Sequence, residues 1–409
     1  MQTHGNGQAS AECQEVDIIR KSRHLSTACL SCRPAPGRAR HLASRLNKEC
    51  RILMSLGPVE TMSTEGEYDA RIVADPDEAE AWSAKAKLRL SRGDHQAGVE
   101  FAIAAASRAG VVPEAGRLLV EAAARAGDAH LLGLAAKRHL QLFPDERRTT
   151  VFQRLVPPRL LVPSLQEGEE LDAFNQVLAT IRDRRPRRYG QLLQCLLALR
   201  PRSILEIGVF DGRNAADMIR AGGRTPARTG ALRYVGFDLF EEMTPEVHEK
   251  EFSKYPLSRA EIGGALSAFN QNHLLIQGYT QDTLKAFRQS PDAWPIDFVF
   301  IDGGHSEETI QSDWDNVAPL MSEKTVVIFD DCYLNKVKEL DGLGCNSLVE
   351  RLARDPRYVV EMLPVRDSFD KDFGVLTVAL VKVRLRPRGG ALRRILRINP
   401  WRRPATGRS

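Results

Sequence analysis

A short apolar run that leads into a glycine-flanked turn constrains this chain more than any other stretch of its sequence. Residues 203–207 read Ser-Ile-Leu-Glu-Ile, and a short apolar run with β-branched residues predicts a buried strand of a parallel sheet. Gly208 and Gly212 bracket the turn that follows, and Asn214 is a candidate N-cap for the next helix. Because glycines let a backbone approach a ligand closely, and helix N-termini offer free N–H groups, the segment predicts a ligand site.

An acid two residues before the first glycine narrows the class of ligand. A dinucleotide-binding turn has the pattern Gly-x-Gly-x-x-Gly and places a pyrophosphate against the helix. Here the order is Glu206, then Gly208, then Gly212, and a carboxylate at that place would repel a pyrophosphate. The segment therefore favours a cationic or amino-bearing ligand.

Four further segments repeat the pattern of a strand that ends in polar residues. They are residues 232–238, which end at Asp238; 273–284, with Thr280 and Gln281 in the turn; 296–302, which end at Asp302; and 325–330, which end at Asp330 and Asp331. Carboxyl ends of parallel strands meet at one edge of an open sheet, where ligands bind. With a terminal hairpin of residues 358–364 and 375–381, the sequence predicts an α/β fold with a doubly wound, mostly parallel, seven-stranded sheet.

The motifs resemble those of the class I S-adenosylmethionine-dependent methyltransferases. The closest resemblance is to the metal-dependent O-methyltransferases of the catechol and caffeoyl-CoA type, and to the macrocin O-methyltransferase and cephalosporin hydroxylase group. Residues 205–215, Leu-Glu-Ile-Gly-Val-Phe-Asp-Gly-Arg-Asn-Ala, look like the family's first motif, and residues 278–282, Gly-Tyr-Thr-Gln-Asp, look like its adenine loop. The resemblance spans residues 189–383 and implies methyl transfer from S-adenosylmethionine to a hydroxyl of a sugar, glycan or natural product.

The resemblance also implies which residues hold the cofactor. Asp238 ends the second strand, where an acid accepts hydrogen bonds from both ribose hydroxyls. Thr280 and Gln281 would edge the adenine, and the acidic turn would lie near the methionine end. The full set of implied cofactor contacts is Glu206, Gly208, Gly212, Asp238, Thr280, Gln281 and Asp302.

Three acids occupy the positions at which this family holds a divalent ion, namely Asp302, Asp330 and Asp331. An all-oxygen ligand set favours Mg²⁺ or Mn²⁺ over zinc. The alternative is that Asp330 and Asp331 form a turn without metal, and that Asp302 only orients the glycines after it. Converging acids repel one another unless a cation joins them, which favours the metal.

Asp302 and His305 are the predicted catalytic residues. His305 lies three residues past Asp302, where the catechol-type enzymes carry a basic lysine. An imidazole that titrates near neutrality is a natural acceptor for a hydroxyl proton. The alternative is that His305 caps the helix that begins at Ser306.

Residues 65–146 predict a small helical repeat module. Arg-Gly-Asp at residues 92–94 recurs as Ala-Gly-Asp at residues 126–128, and Trp82 and Gly116 stand at the same spacing of 34 residues. This period resembles tetratricopeptide repeats, each of which is a helix–turn–helix. The module is either a docking surface for a protein partner or acceptor, or a packing appendage.

Basic residues are concentrated at the two ends of the chain. Residues 1–54 contain nine Lys or Arg against four acids, and residues 382–409 contain ten Lys or Arg and no acid. The segment between them is acidic, which disfavours nucleic acid as a partner. Residues 1–64 predict a disordered basic segment. The tail 384–409 either makes a weak contact with an anionic membrane surface or is solvated and disordered, which its glycines and prolines favour.

Other segments carry weaker predictions. Residues 147–164 predict a linker between the repeats and the methyltransferase-like domain of residues 165–383, and the charge run 182–188 predicts a solvated face. Cys29 and Cys32 either belong to a zinc site or are incidental, and the absence of a matching knuckle favours the second. The sequence shows neither an apolar run long enough for a membrane span nor a secretory pattern, which predicts a cytoplasmic protein.

Two other functions stay open at this point. A nicotinamide-dependent oxidoreductase would use a similar sheet, but the glycine spacing and Glu206 disfavour it. A non-catalytic interaction protein would use the helical repeats to bind a partner, and the near-complete set of strand-end acids disfavours that.

Overall fold

The computed structural model describes residues 64–108, 112–161, 167–224, 226–251, 253–290, 293–335 and 338–387, all within one compact unit, Ser63–Ser409. The predictions for residues 1–63, including the Cys29 and Cys32 alternatives, lie outside the described residues, as does the tail from residue 388 onward. In the described part of the chain, no helix is long and apolar enough to cross a membrane.

A seven-stranded sheet forms the centre of this unit, with the strand order β3-β2-β1-β4-β5-β7-β6. The strands are β1 Ser203–Ile207, β2 Arg233–Asp238, β3 His273–Gln277, β4 Phe298–Ile301, β5 Val326–Tyr333, β6 Tyr358–Lys371 and β7 Gly374–Leu385. β1 to β5 pair in parallel, and β7 lies antiparallel between β5 and β6. This confirms the predicted doubly wound, mostly parallel sheet with a terminal hairpin.

The central strands are buried on both faces, which explains why β1 and β4 read as continuous apolar runs. Ile204 and Phe298 pack into one hydrophobic core, while their neighbours Leu205 and Val299 pack into a second one. Successive side chains of a strand point to opposite faces, so alternate residues feed the two cores. The sheet is therefore a rigid platform, and its carboxyl edge is fixed by packing from both sides.

Helices cover both faces of the sheet. The helices of the described residues are α1 Thr64–Ala74, α2 Ala79–Ser91, α3 His95–Arg108, α4 Pro113–Arg125, α5 Ala129–Leu142, α6 Thr150–Leu155, α7 Glu167–Asp183, α8 Arg188–Leu199, α9 Arg213–Gly223, α10 Pro226–Ala231, α11 Pro245–Glu251, α12 Arg259–Ser267, α13 Thr280–Gln289, α14 Glu307–Val317 and α15 Asn346–Arg354. α9 begins after Gly212, whose φ of +73° ends the turn, so the prediction of Asn214 as the N-cap is wrong. A left-handed backbone suits glycine at that position.

The N-terminal helices pair as two helix hairpins, α2 with α3 and α4 with α5. Gly93 and Gly127 make the two turns with φ values of +79° and +70°. The hairpins share one hydrophobic core with the sheet, since Trp82 and Phe101 belong to the same cluster as Ile204. The tetratricopeptide likeness stays a prediction, but the helical segment packs as part of the sheet's own core.

The predicted linker of residues 147–164 is not extended where the structure describes it. It contains α6 and a 3₁₀ turn, Pro158–Leu161. Phe152 and Val156 of this segment are buried, because they close the core beneath the helix hairpins. The many Pro and Arg residues of this segment favoured a linker in the sequence analysis, which therefore missed the contribution of Phe152 and Val156 to the core.

Candidate active site

A cavity of about 430 Å³ lies at the carboxyl edge of the sheet. Residues from the ends of five strands form its wall: Gly208 after β1, Asp238 at the end of β2, Thr280 after β3, Asp302 after β4 and Asp331 near the end of β5. The carboxyl ends of parallel strands share one edge, so the strand order brings these residues together. The sequence prediction of a shared edge therefore corresponds to an actual cleft.

The turn after β1 fits only glycine at its first position. Gly208 has a φ of +87°, and a Cβ there would lie 1.9 Å from the carbonyl oxygen of Asp302. The Asp302 backbone N–H donates to the Ile207 carbonyl at 2.9 Å, which holds the ends of β1 and β4 together. The glycine thus permits the close approach that places Asp302 beside the turn.

Asp238 ties the end of β2 to the same turn. Its Oδ2 accepts hydrogen bonds from the backbone N–H groups of Val209 at 2.7 Å and Phe210 at 2.9 Å, and its Oδ1 accepts from Phe240 at 3.2 Å. A carboxylate has about four lone-pair sites, so these three bonds leave one site, on Oδ1, for a hydroxyl of a ligand. Asp238 is both a clamp on the turn and a wall of the cavity.

Glu206 does not lie in the cavity wall with the other predicted cofactor contacts. It is fully buried in β1, does not line the described cavity, and accepts a hydrogen bond from the Tyr234 hydroxyl. Burial raises the pKa of Glu206 to about 8, although the bond from Tyr234 opposes the shift. The reason is strand geometry, since alternate side chains leave the edge and enter the core.

Thr280 and Gln281 open helix α13 and line the cavity, as the resemblance implied. Gly278, with a φ of +122°, turns the chain between β3 and this helix. The two side chains therefore lie at the helix N-terminus, where polar groups meet a bound ligand.

Three potential ligand side chains converge beside the turn: Asp302, His305 and Asp331, with one ligand atom from each within 4.8 Å of the others. His305 Nε2 lies 3.2 Å from Asp331 Oδ2. Burial, then the charges of Asp330 and Asp331, raise the pKa of Asp302 well above its ordinary value. Burial also raises the pKa of Asp331, although His305 opposes the shift. Carboxylates crowded in this way suit a cation.

Asp330 belongs to a different set of contacts. Both of its oxygens accept hydrogen bonds from Arg188, each at 2.7 Å, and its Oδ2 lies 2.8 Å from the Tyr189 hydroxyl. Burial would raise the pKa of Asp330, but the charge and hydrogen bonds of Arg188 outweigh it and hold the pKa below the ordinary value. The Tyr189 hydroxyl also lies 3.0 Å from Asp302 Oδ2 and links the two carboxylates. Of the three predicted metal ligands, the structure thus brings together Asp302 and Asp331. Asp330 instead forms an ion pair with the buried Arg188.

The charge run 182–188 is only partly the solvated face that the sequence predicted. Arg182 is exposed, but Arg188 is buried and forms an ion pair with Asp330. The helical periodicity of α8 could have indicated that Arg188 is buried, because Arg188 shares a helical face with the buried residues Leu192 and Cys195. A cation on the buried face of a helix needs a buried acid as its partner.

Residues 205–332 match the family model described as a methyltransferase domain. These residues run from β1 to β5 and contain the strand-end acids of the cavity. This segment, less than a third of the chain, is similar to methyltransferase domains. The match confirms the enzyme predicted from the sequence, an S-adenosylmethionine-dependent methyltransferase.

Several solved methyltransferase structures are similar to this methyltransferase at low identity. The O-methyltransferase TomG from Streptomyces achromogenes, in complex with S-adenosylmethionine, is 16% identical over 55% of this chain and 92% of its own, with a TM-score of 0.36. An O-methyltransferase from Bacillus cereus, in complex with S-adenosylhomocysteine, is 18% identical over 56% and 94%, with a TM-score of 0.36. CalS11, a TDP-rhamnose 3'-O-methyltransferase, is 16% identical over 53% and 96%, with a TM-score of 0.34. A search of curated protein sequences found no match.

The sequence analysis missed Arg188 and Tyr189, which order the acids of this methyltransferase. Arg188 neutralises Asp330, and Tyr189 bridges Asp330 and Asp302. Both precede the methyltransferase motifs along the chain, so no motif pointed to them. Of the three predicted metal ligands, they leave Asp302 and Asp331 beside His305.

Proposed function

We propose that this protein is an S-adenosylmethionine-dependent O-methyltransferase, assisted by a divalent metal, that acts on a hydroxyl of a sugar, glycan or natural product. One observation carries the proposal. A single cavity joins Asp238 and Thr280, which suit the ribose and adenine of a nucleoside, to the cluster of Asp302, His305 and Asp331. A nucleoside cofactor and an acceptor hydroxyl would therefore meet within one cleft.

The cofactor side is built from the ends of β2 and β3. The remaining lone pair of Asp238 Oδ1 would accept a hydrogen bond from one ribose hydroxyl, and Thr280 and Gln281 would contact the adenine. The turn at Gly208 brings backbone close to the ligand without a side chain in the way. Glu206 lies outside this set of contacts, because it is buried in β1 and bonded to Tyr234.

The acceptor side fits a divalent ion. Mg²⁺ is commonly held by one or two carboxylates and completes its shell with water and substrate oxygens, so Asp302 and Asp331 would be sufficient protein ligands. When bound, such an ion lowers the pKa of an acceptor hydroxyl and fixes its position. The raised pKa values of the two acids, caused first by burial and then by neighbouring carboxylates, agree with a site completed by a cation.

His305 is then free to accept the hydroxyl proton. Its Nε2 faces Asp331 Oδ2 at 3.2 Å, so a proton on Nε2 leaves Nδ1 as the acceptor. The acceptor oxygen attacks the methyl carbon, the carbon–sulfur bond breaks, and its electron pair remains on the sulfur. The products are a methyl ether and S-adenosylhomocysteine, and the cleft contributes mainly alignment.

The test is methyl transfer from labelled cofactor by the full-length protein. Purified protein is incubated with methyl-labelled S-adenosylmethionine and a panel of hydroxylated sugars, glycans and natural products, with and without a chelator. We expect label in an acceptor, loss of transfer with the chelator, and recovery on addition of Mg²⁺ or Mn²⁺. An Asp302→Asn protein is the matched control. Transfer that survives chelation would reject the metal, and label on nitrogen or sulfur acceptors alone would reject the O-methyltransferase assignment.

A further inference from the structure

The wall of the same cavity contains a buried acid to which neither the motifs nor the proposed mechanism gives a role. Asp313 lies on helix α14, lines the cavity and is fully buried. Among the described residues, neither carboxylate oxygen of Asp313 has a hydrogen-bond partner. A buried polar group without a partner is costly, so it is retained where a ligand or water satisfies it.

The surroundings of Asp313 place it at the end of the cavity formed by helix α13. The Thr280 side chain faces the carboxyl and interacts with it, without completing a hydrogen bond of ordinary geometry. Thr280 is also the first residue of α13 and one of the two residues proposed to contact adenine. An adenine held by Thr280 and Gln281 would thus lie within reach of Asp313.

We propose that Asp313 recognises the Watson–Crick edge of the cofactor's adenine, accepting a hydrogen bond from the N6 amino group and donating one to N1. This inference rests on the proposed function, because it needs an adenosyl cofactor in the cavity. It adds a specificity-determining residue on the helix after β4 to the contacts already proposed after β3.

The chemistry requires the acid to be protonated. A neutral carboxyl has one O–H donor and one carbonyl acceptor on adjacent atoms, which matches the N6 donor and N1 acceptor of adenine. An ionised carboxylate would still accept from N6, but its second oxygen would repel the lone pair of N1. Recognition of both atoms therefore depends on the proton.

The environment holds that proton near neutral pH. Burial, in the first place, raises the pKa of Asp313 to about 7, the negative charge of Glu251 on helix α11 adds to the increase, and Thr280 opposes it. Glu251 is itself fixed by hydrogen bonds to Ser306 and Thr309 at the start of α14. No cation acts on the Asp313 carboxyl from the described residues. Below pH 7 the acid is mostly protonated, and above pH 7 it is mostly ionised.

The test is calorimetric binding of S-adenosylhomocysteine by the full-length protein between pH 6 and pH 8. The bidentate contact exists only below the pKa of Asp313, so wild-type affinity should fall by about tenfold as the pH rises across this interval. Asp313→Asn keeps one donor and one acceptor without a titrating proton, so its affinity should be high and independent of pH. Asp313→Leu should bind roughly 10- to 100-fold more weakly at pH 6.

A second ligand tests whether the proton of Asp313 is donated to N1 of the adenine. The 1-deaza analogue of S-adenosylhomocysteine has a C–H group in place of N1, so its affinity for the wild-type protein should not fall as the pH rises. Thermal unfolding of both variants confirms that they are folded. Equal pH profiles for wild type and Asp313→Asn, or full affinity in Asp313→Leu, would overturn the inference. Absence of binding by the wild-type protein would instead reject the proposed function.

Discussion

At the scale of single residues, a buried arginine separates the roles of two adjacent acids. Asp330 and Asp331 are adjacent in sequence, but Asp330 is occupied by Arg188, whereas Asp331 faces His305. Asp331 achieves this with a φ of +56°, an uncommon conformation for a non-glycine residue. The left-handed residue turns the second carboxylate away from the first and towards the cavity.

Replacing Asp331 and Asp330 individually by asparagine distinguishes their roles. Asp331→Asn should raise the metal concentration needed for half-maximal methyl transfer by at least about tenfold, because it removes a charged ligand. Asp330→Asn should leave that concentration unchanged but lower the free energy of unfolding by up to about 3–5 kcal/mol, since Arg188 keeps only the less buried Asp367 as its counter-charge. Metal titration of activity and denaturant unfolding measure the two effects. A shared metal defect in both variants would return Asp330 to the ligand set.

At the scale of elements, the cofactor side depends on how closely the β1 turn approaches the end of β4. Gly208→Ala would combine a strained φ with a Cβ placed 1.9 Å from the Asp302 carbonyl oxygen. We expect a loss of roughly 2–5 kcal/mol in the free energy of unfolding. Binding of S-adenosylhomocysteine should also be lost, because the turn that lines the cavity must shift to relieve this contact.

A second glycine provides the control. Gly264 lies in helix α12 with an ordinary φ, and a Cβ added there would meet no atom within 4 Å. Gly264→Ala should therefore leave stability unchanged or raise it by up to about 1 kcal/mol. Chemical denaturation of the two variants measures the difference. Equal stability of the two alanine variants would show that the β1 turn is not constrained as described.

The elements also show what the sequence predicted and what it did not. Strand ends were predictable because a run such as 298–301 is apolar throughout and is followed by polar residues, and parallel strands must end at one edge. The burial of Arg188 was not predictable, because its partner Asp330 lies 142 residues away. Glu206 was misplaced for a related reason, since its orientation depends on Tyr234 of the neighbouring strand. Sequence motifs therefore locate the site, but contacts between residues far apart in the sequence determine which side chains line the cavity.

At the scale of the whole molecule, buried ion pairs join the helical hairpins to the sheet. Lys382 of β7 lies 3.1 Å from both carboxylate oxygens of Glu100 in α3 and 3.3 Å from Glu361 in β6. Lys382 and Glu100 are both buried. Burial would lower the pKa of Lys382, but the two acids outweigh it and hold the pKa above its ordinary value. The hairpins are therefore fixed to the methyltransferase sheet and do not form a separate body.

Breaking this junction should destabilise the whole unit. Lys382→Met leaves Glu100 and Glu361 buried without their shared cation, so we expect a loss of about 3–5 kcal/mol in the free energy of unfolding. The double variant Lys382→Met/Glu100→Gln should recover part of that loss, because it removes the charge of Glu100, whereas Glu361 keeps its pair with Arg89. Arg357→Ala, which removes an exposed pair with Asp355, is the control and should leave the melting temperature unchanged. Two separate unfolding transitions in the single variant would contradict a shared core.

The central claim is that the cleft at the carboxyl edge of the sheet is an adenosyl-cofactor site. The most direct measurement is a calorimetric titration of the purified full-length protein with S-adenosylhomocysteine, repeated with Asp238→Ala. We predict saturable binding of one ligand per chain by the wild-type protein and affinity reduced by roughly 10- to 100-fold in the variant, because the ribose loses its acceptor. No detectable binding by the wild-type protein, or equal affinity in Asp238→Ala, would contradict the claim.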